Sequence, residues 1–388
     1  MIQDIYCPLY NQGLYVEKIN QYQAHVSMCC YQPLSPDPRE SIDFFQDRYL
    51  QSVRKQYNNG LPPRECSSCW QLEKLNYQSY RQGEIASIDA FSHERYDQPI
   101  LTNLFYNCEN ICNLRCVICG PRYSSQWISD YKKLDFPFYG KEVKTRTKHN
   151  QLINSVDFSH LRRIHFTGGE PLLSQDHKSI LAQAREHGSL EHCVVSYNTN
   201  GTQSPDRETL ELWKQAKLVK IYFSIDSVGE SFNYVRFPAD WYQVKDNIKQ
   251  NFLDIDINLI FGIGPTANIS NVFYIGDIIQ WMLEDVPCNR QNDPTSFYIN
   301  PVGNVGKGGE LLDLKNLDAN TQDYAKHYLE QTQQSFPDYR QQIQAVINTF
   351  EAQGHSPSNE WILYLDKLDH IRGTDWRTSL SKLSQHIS

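Results

Sequence analysis

Three closely spaced cysteines are the residues of this sequence best suited to chemistry. Cys112, Cys116 and Cys119 follow one another with the spacing C-x3-C-x2-C. Three thiolates on one short loop can bind three corners of a four-iron, four-sulfur cluster and leave the fourth iron open to a small chelating ligand. A structural zinc is instead closed by four protein ligands, usually supplied as paired C-x2-C units. The spacing therefore predicts an iron–sulfur cluster with one open iron.

A glycine-rich turn lies downstream of these cysteines. Residues 167–171 read Thr-Gly-Gly-Glu-Pro and follow the apolar run at 164–166. Glycine lets a backbone approach a ligand closely, and Glu170 can accept a hydrogen bond from a buried cation. A Gly-Gly pair is more often an ordinary turn, and free cysteines are often only core residues. The occurrence of both motifs in this order, each after a strand-like run, favours the functional interpretation.

Together the two motifs resemble those of the radical S-adenosylmethionine (radical SAM) enzymes. In that superfamily the amino and carboxylate groups of the methionine moiety chelate the open iron, and reductive cleavage of the sulfonium gives a 5'-deoxyadenosyl radical that abstracts a substrate hydrogen atom. The resemblance implies that the three cysteines bind the catalytic 4Fe-4S cluster. It assigns the methionine end of the cofactor to three residues of the turn: Gly168, Gly169 and Glu170.

Further cofactor contacts are expected near the ends of later strands. Asn200, Ser224 and Asp226 are candidates for the carboxylate and the ribose hydroxyls of SAM, since acidic residues bind cofactor riboses elsewhere. A helix N-cap is an equal alternative for Asp226. Arg236 is a candidate forked donor to the methionine carboxylate, with an ordinary surface arginine as its alternative. Gly264 would let the backbone approach adenine, unless it belongs to a plain strand-end turn.

A second group of cysteines lies before residue 70. Cys7, Cys66 and Cys69 supply three ligands, and either Cys29 or Cys30 supplies a fourth. Four thiolates can close a 4Fe-4S cluster or a structural zinc site. This segment resembles the auxiliary-cluster region of radical SAM proteins with a twitch or SPASM domain. The resemblance favours a second, auxiliary 4Fe-4S cluster over zinc or unligated cysteines.

Composition sets the compartment and excludes some partners. The chain has 388 residues, 40% of them hydrophobic, and a net charge of -8, which argues against a general nucleic-acid-binding surface. No apolar run of about 18 residues predicts a membrane span, and no signal peptide is visible. We therefore expect a cytoplasmic protein whose 11 cysteines are metal ligands or core residues and not disulfides.

Strand and helix patterns alternate from about residue 98 and predict parallel βαβ units. Strands are predicted at 101–106, 162–167, 192–198, 220–225, 255–262 and 296–300. Helices are predicted at 41–57, 71–80, 124–133, 174–186, 207–215, 240–251, 272–284, 319–334 and 339–353.

The expected fold class is α/β, with a partial (β/α)6 barrel similar to that of TIM barrels. Chemistry in barrels gathers at the carboxyl ends of the strands, and the cysteine loop and the glycine-rich turn both fall there. The expected organisation has three parts: a cysteine-rich, twitch-like auxiliary region at 1–97, the radical SAM partial barrel at 98–302 and a helical region at 303–388.

Three functions are considered. The favoured one is a radical SAM enzyme that modifies a ribosomally synthesised peptide by cross-linking, epimerisation or oxidation, because auxiliary-cluster segments are frequent in peptide maturases. The second is a radical SAM enzyme that oxidises or rearranges a small molecule. The third, a non-enzymatic metal-binding or electron-transfer protein, would need neither an open iron nor a Gly-Gly-Glu pocket.

Either enzyme requires a substrate and an electron donor such as flavodoxin or ferredoxin, and no nucleic-acid or membrane partner is expected. The catalytic residue that quenches or deprotonates a substrate radical is not assigned, since the chain has 24 tyrosines.

Overall fold

A computed structural model gives the fold of this α/β chain. It describes residues 6–20, 23–74, 79–91, 98–135, 152–153, 156–253, 255–286, 297–301, 307–350 and 357–387. The chain divides into two compact units. The first unit consists of Met1–Glu109, Thr145–Tyr197 and Arg207–Val219, and the second of Asn110–Lys144, Asn198–Asp206 and Lys220–Ser388.

Seven strands form the main sheet in the order β2-β1-β3-β4-β5-β6-β7. They are β1 (Gly13–Asn20), β2 (Gln23–Ser27), β3 (Asn103–Asn107), β4 (Arg163–Thr167), β5 (Val194–Thr199), β6 (Leu218–Phe223) and β7 (Leu259–Ile263). β1 runs antiparallel to β2, while the pairs β1–β3, β3–β4 and β4–β5 are parallel. Two short strands, β8 (Thr266–Ala267) and β9 (Asn300–Pro301), pair separately. The predicted α/β class with parallel strands is confirmed.

Sixteen α-helices are found among the described residues. They are α1 (Leu9–Gln12), α2 (Arg48–Asn58), α3 (Ser67–Lys74), α4 (Tyr80–Phe91), α5 (Trp127–Leu134), α6 (Asp176–Glu186), α7 (Arg207–Trp213), α8 (Gly229–Val235), α9 (Trp241–Ile248), α10 (Ile275–Asp285), α11 (Lys307–Leu311), α12 (Ala319–Ser335), α13 (Arg340–Thr349), α14 (Glu360–Arg372), α15 (Trp376–Ser379) and α16 (Ser381–Ser384). No helix in this part of the chain is both long and apolar enough to cross a membrane.

Alternating side chains explain the central strands of the first unit. Along β4 and β5 every second residue is buried, as expected of a strand with one face on the core. Phe166 of β4 stacks on Tyr197 of β5 with ring centroids 4.9 Å apart. Tyr197 also lies 5.3 Å from Trp213 of α7. This apolar layer packs β4 and β5 together, and the carboxyl end of β4 leads into the glycine-rich turn.

The N-terminal region differs from its prediction. β1 and β2 were not predicted. Leu14 and Val16 of β1 are fully buried, but Tyr15 between them is buried too, so this part of the strand lacks a clear alternation. The helix predicted at 41–57 is wrong at its start: α2 begins at Arg48, because the Asp47 carboxylate accepts hydrogen bonds from the first backbone N–H groups and caps it there. Of the helix predicted at 71–80, residues 71–74 belong to α3 and residue 80 begins α4, while residues 75–78 lie outside the described residues.

Elements elsewhere in the chain agree more closely with the prediction. The strand predicted at 162–167 is β4, and the helix predicted at 319–334 is α12. The helix predicted at 240–251 is α9 followed by a π-helical turn at Lys249–Leu253. The strand predicted at 296–300 is mostly wrong: residue 296 lies outside the described residues, and of 297–300 only Asn300 belongs to a strand, β9. Cys288 also lies outside the described residues.

Candidate functional site

The loop that carries the three cysteines (110–126, the cluster loop) belongs to the second unit and is held by its neighbours. Trp127 at the start of α5 donates from Nε1 to the carbonyl oxygen of Cys116 at 3.0 Å. Tyr364 of α14 donates from its hydroxyl to the carbonyl oxygen of Val117 at 2.5 Å. Because these donors bind the backbone between the cysteines, the loop is ordered by the protein itself.

Polar donors lie against the sulfurs of the cluster loop. Asn200 Nδ2 is 3.8 Å from Cys112 Sγ, and Arg236 Nη1 is 3.7 Å from Cys116 Sγ. Burial raises the pKa of Cys116, whereas the Arg236 charge lowers it. Burial and the neighbouring thiols also raise the pKa of Cys119. Amide and guanidinium donors stabilise thiolates, the form that binds iron, so this donor set fits the three-cysteine cluster implied by the sequence.

Asn200 lies at the cluster loop within a small amide and hydroxyl network, while its predicted contact with SAM stays a prediction. Its Nδ2 also donates to Asn113 Oδ1 at 3.1 Å. Asn113 Nδ2 donates to Thr202 Oγ1 at 2.8 Å, and the Thr202 hydroxyl donates back to Asn200 Oδ1 at 2.6 Å. The network fixes the loop beside Cys112. Asn113 and Thr202 were missed because an isolated amide or hydroxyl carries no spacing signal.

Arg236 and Asp226 form a buried ion pair in the second unit. Arg236 Nη2 lies 2.6 Å from Asp226 Oδ2, and the other carboxylate oxygen accepts from the backbone N–H of Thr266 at 2.8 Å. Burial alone would lower the pKa of Arg236, but the Asp226 carboxylate and nearby thiols raise it above its ordinary value. Arg236 Nε is buried and has no partner among the described residues.

The surroundings of this ion pair exclude the alternative interpretations of the two residues, a surface arginine and a helix N-cap. Arg236 is not a surface arginine, because its side chain is 11% exposed. Asp226 is not a helix N-cap, because α8 begins after Val228 and without a side-chain cap. Their roles toward the methionine carboxylate and the ribose remain predictions.

Gly264 and Ser224 also lie in the second unit, at the ends of β7 and β6. A Cβ at Gly264 would come within 2.4 Å of the ring of Tyr298, so the close approach there is made by an aromatic side chain. The Tyr298 hydroxyl donates to Asn198 Oδ1 at 3.3 Å. Ser224 donates its backbone N–H to Thr199 O at 2.8 Å directly after β6. Contacts of Ser224 and Gly264 with SAM stay predictions.

The glycine-rich turn belongs to the first unit and follows β4. Gly168 has a φ of +120°, and a Cβ there would lie 2.6 Å from the carbonyl oxygen of Cys108, so the turn requires glycine. Gly169 N donates to Glu109 O at 3.1 Å. Glu170 is 1% exposed and accepts from Leu172 N at 3.2 Å, capping a short 3-10 helix. Binding of the methionine end by these residues remains a prediction.

A buried lysine, not predicted, fixes the residue before the cluster loop. Lys18 Nζ of β1 lies 2.6 Å from Glu109 Oε1 and 2.7 Å from Asp176 Oδ2 at the start of α6. Burial alone would lower the pKa of Lys18, but the two carboxylates raise it above its ordinary value. The Tyr106 hydroxyl also donates to Asp176 Oδ2, at 3.3 Å. We call Lys18, Glu109 and Asp176 the buried charge triad.

The N-terminal cysteines of the first unit converge on one cavity. Four of them are buried and line it: Cys7, Cys29, Cys66 and Cys69. Cys30 is exposed and is not among the lining residues. Two donors lie on one sulfur of the cavity, since Gln32 Nε2 is 3.1 Å and the Tyr57 hydroxyl 3.3 Å from Cys66 Sγ. Four buried thiols with donors beside them fit a closed four-thiolate site.

The remaining cysteines are accounted for in the described part of the chain. Cys108 and Cys193 are buried core residues, and all described cysteines are free. Within the same residues, no three or more His, Cys, Asp or Glu side chains form a group that could hold a single metal ion. Ligands of a four-iron cluster are separated by iron and sulfide, and so stand farther apart than the ligands of one ion.

Comparison with known proteins agrees with this site. The model of the radical SAM superfamily matches residues 106–263, which include the cluster loop, the glycine-rich turn and strands β4 to β7. The chain therefore carries a radical SAM domain at these residues, and members of that superfamily use SAM and a 4Fe-4S cluster.

Curated relatives share part of the chain. GTP 3',8-cyclase of Klebsiella pneumoniae subsp. pneumoniae is 27% identical over 166 residues, which is 42% of this chain and 44% of the relative. The 7,8-dihydro-6-hydroxymethylpterin dimethyltransferase of Methanocaldococcus jannaschii is 24% identical over 200 residues, or 51% of this chain and 37% of the relative. The chain thus spans less than half the length of these relatives.

Two solved structures show a looser similarity. Native anSMEcpe with bound AdoMet has a TM-score of 0.39 and 17% sequence identity, covering 62% of each chain. SuiB of Streptococcus suis bound to S-adenosylmethionine has a TM-score of 0.34 and 13% identity, covering 85% of this chain and 68% of its own. Similarity of this size says nothing about activity.

Proposed function

We propose that the protein is a radical SAM enzyme that abstracts a hydrogen atom from a ribosomally synthesised peptide. The observation that carries the enzymatic part is the cluster loop with its three cysteines. The Asn200 amide lies at Cys112 Sγ, and the Arg236 guanidinium lies at Cys116 Sγ. The bound cluster supplies one electron for reductive cleavage of SAM to a 5'-deoxyadenosyl radical.

The residues around the cluster loop have distinct tasks in this proposal. Asn200 and Asn113 hold the loop beside Cys112. Arg236 places a fixed positive charge at Cys116 and offers its unpartnered Nε to the methionine carboxylate. A guanidinium suits that carboxylate because its donors lie in one plane. Asp226 keeps Arg236 charged and oriented.

The N-terminal cavity is proposed to hold an auxiliary 4Fe-4S cluster. Its ligands would be Cys7, Cys29, Cys66 and Cys69, because these four thiols share the cavity while Cys30 does not. When bound, such a cluster can accept one electron from a substrate radical, which also loses a proton, so that the substrate is oxidised by two electrons in all.

The peptide substrate is supported by this closed auxiliary site, which in the resembling twitch and SPASM proteins often accompanies peptide maturation. A small-molecule substrate is the second candidate, favoured by the names of the curated relatives, a GTP cyclase and a pterin dimethyltransferase. A cytoplasmic location and a flavodoxin or ferredoxin donor belong to either proposal.

The substrate classes can be separated by following deuterium. Extract from source cells grown in deuterated medium is divided by size into peptide and small-molecule fractions and added to the loaded enzyme with SAM and dithionite. Deuterium in 5'-deoxyadenosine with the peptide fraction supports the proposal. Deuterium only with the small-molecule fraction contradicts it and supports the second candidate.

The enzymatic proposal itself is tested on the intact chain. After anaerobic reconstitution, we expect about eight irons per chain for two clusters, against about four for one. With SAM and dithionite, the loaded protein should release 5'-deoxyadenosine, measured by liquid chromatography. Complete iron loading without any 5'-deoxyadenosine would contradict the enzymatic proposal.

The choice between adjacent cysteines gives a second prediction. Cys29→Ser should lose about four of about eight irons, because it removes a thiolate from the closed site. Cys30→Ser, the matched control, should keep them all, because Cys30 is exposed and lies outside the cavity lining. Iron and sulfide counts on both variants identify the ligand. Loss of iron from Cys30→Ser but not from Cys29→Ser would make Cys30 the ligand.

A further inference from the structure

We infer that Tyr57 and Gln32 are redox-tuning residues of the N-terminal cavity: through hydrogen bonds to Cys66 Sγ they raise the reduction potential of a cluster bound there. This inference rests on the proposed auxiliary cluster. It concerns two side chains that are not among the proposed iron ligands.

Gln32 is oriented so that only its amide nitrogen can face the sulfur. Its Oε1 accepts from the backbone N–H of Met28 at 3.0 Å. Its own backbone N–H donates to Cys29 O at 3.3 Å, which fixes the turn that carries both residues. Since the carbonyl oxygen is already bound to a donor, Nε2 is the atom that points at Cys66 Sγ, 3.1 Å away.

Tyr57 approaches the same sulfur from the last turn of α2. Its hydroxyl lies 3.3 Å from Cys66 Sγ, and its ring packs against the tilted ring of Tyr10 with centroids 4.8 Å apart. Toward a thiolate, which has no proton, the phenol must be the donor.

The direction of the effect follows from charge. Reduction adds one negative charge to a cluster, and hydrogen bonds to its sulfurs stabilise the more negative state. Two donors on one sulfur therefore raise the potential and make the cluster a better electron acceptor.

The test isolates one cluster in the full-length chain. In protein with alanine at the three cluster-loop cysteines, Tyr57→Phe, Gln32→Leu and the double variant are compared by redox titration followed by electron paramagnetic resonance. At a fixed solution potential, each single variant should show a several-fold lower ratio of reduced to oxidised cluster. The double variant should show a larger decrease of this ratio. A tenfold fall corresponds to 59 mV for one electron.

Tyr31→Phe is the matched control. Tyr31 lines the same cavity and stacks on Tyr80 at 4.8 Å, but among the described residues its hydroxyl bonds to no sulfur. It should leave the potential unchanged.

The outcomes separate this inference from the proposal beneath it. If the protein that carries only the three cluster-loop alanines binds no iron, the proposed auxiliary cluster is wrong. Full iron with the same potential in Tyr57→Phe and Gln32→Leu as in the background overturns the tuning role alone. Loss of iron from both variants, with no shift in what remains, would show that the two side chains only support the ligands. A downward shift with full iron supports the inference.

Discussion

Replacing Cys112, Cys116 and Cys119 together by alanine should abolish 5'-deoxyadenosine formation and remove about four of about eight irons. The three thiolates are the proposed anchors of the catalytic cluster, and no other cysteine in the described part of the second unit can replace them. The N-terminal site keeps its ligands, so the remaining iron should still give an iron–sulfur absorption spectrum. Iron counting, spectra and product analysis on one preparation measure all three expectations.

The control for this variant is Cys193→Ala. Cys193 is fully buried beside the start of β5 and has no proposed ligand role. This substitution should cost some stability through lost packing but keep the iron and the 5'-deoxyadenosine of the unsubstituted protein. If the triple variant still releases 5'-deoxyadenosine, or if Cys193→Ala also loses iron, the assignment of the cluster loop is wrong.

Local sequence patterns located the motifs and most of the central strands. C-x3-C-x2-C is confined to one loop, so its spacing alone places three thiols together. The strand predicted at 162–167 and β4 (Arg163–Thr167) differ by one residue, because alternation of buried side chains is a short-range signal. Gly168 could be recognised as part of a turn motif directly after β4, where its φ of +120° and the nearby oxygen of Cys108 leave no room for a Cβ.

Long-range pairing could not be read from the sequence. Lys18 binds Asp176 across 158 positions, and Gln32 reaches Cys66 across 34. Neither pair has a spacing rule, because the contact depends on how the strands and helices pack. The ambiguity between Cys29 and Cys30 has the same origin: adjacent residues share every local pattern, and only burial distinguishes them.

Lys18→Met should lower the free energy of unfolding by about 3–5 kcal/mol, the usual effect of removing one partner from a buried ion pair. The Lys18 side chain is fully buried, and the carboxylates of Glu109 and Asp176 are only 3% exposed. Methionine is similar in length, so the lost packing is small, and the two buried carboxylates left without the lysine charge account for most of the effect. The midpoint of urea unfolding at unchanged slope measures the loss.

Two further variants show whether charge is the cause. Lys214→Met breaks an exposed pair with Glu211, whose atoms lie 3.0 Å apart on side chains 52% and 58% exposed, and should change stability by less than about 1 kcal/mol. Adding Glu109→Gln and Asp176→Asn to Lys18→Met neutralises the buried charge triad and should recover much of the lost stability. The backbone oxygen of Glu109 also accepts from Gly169 N, so the buried charge triad lies beside the glycine-rich turn. A Lys18→Met effect as small as that of Lys214→Met would show that the triad contributes little.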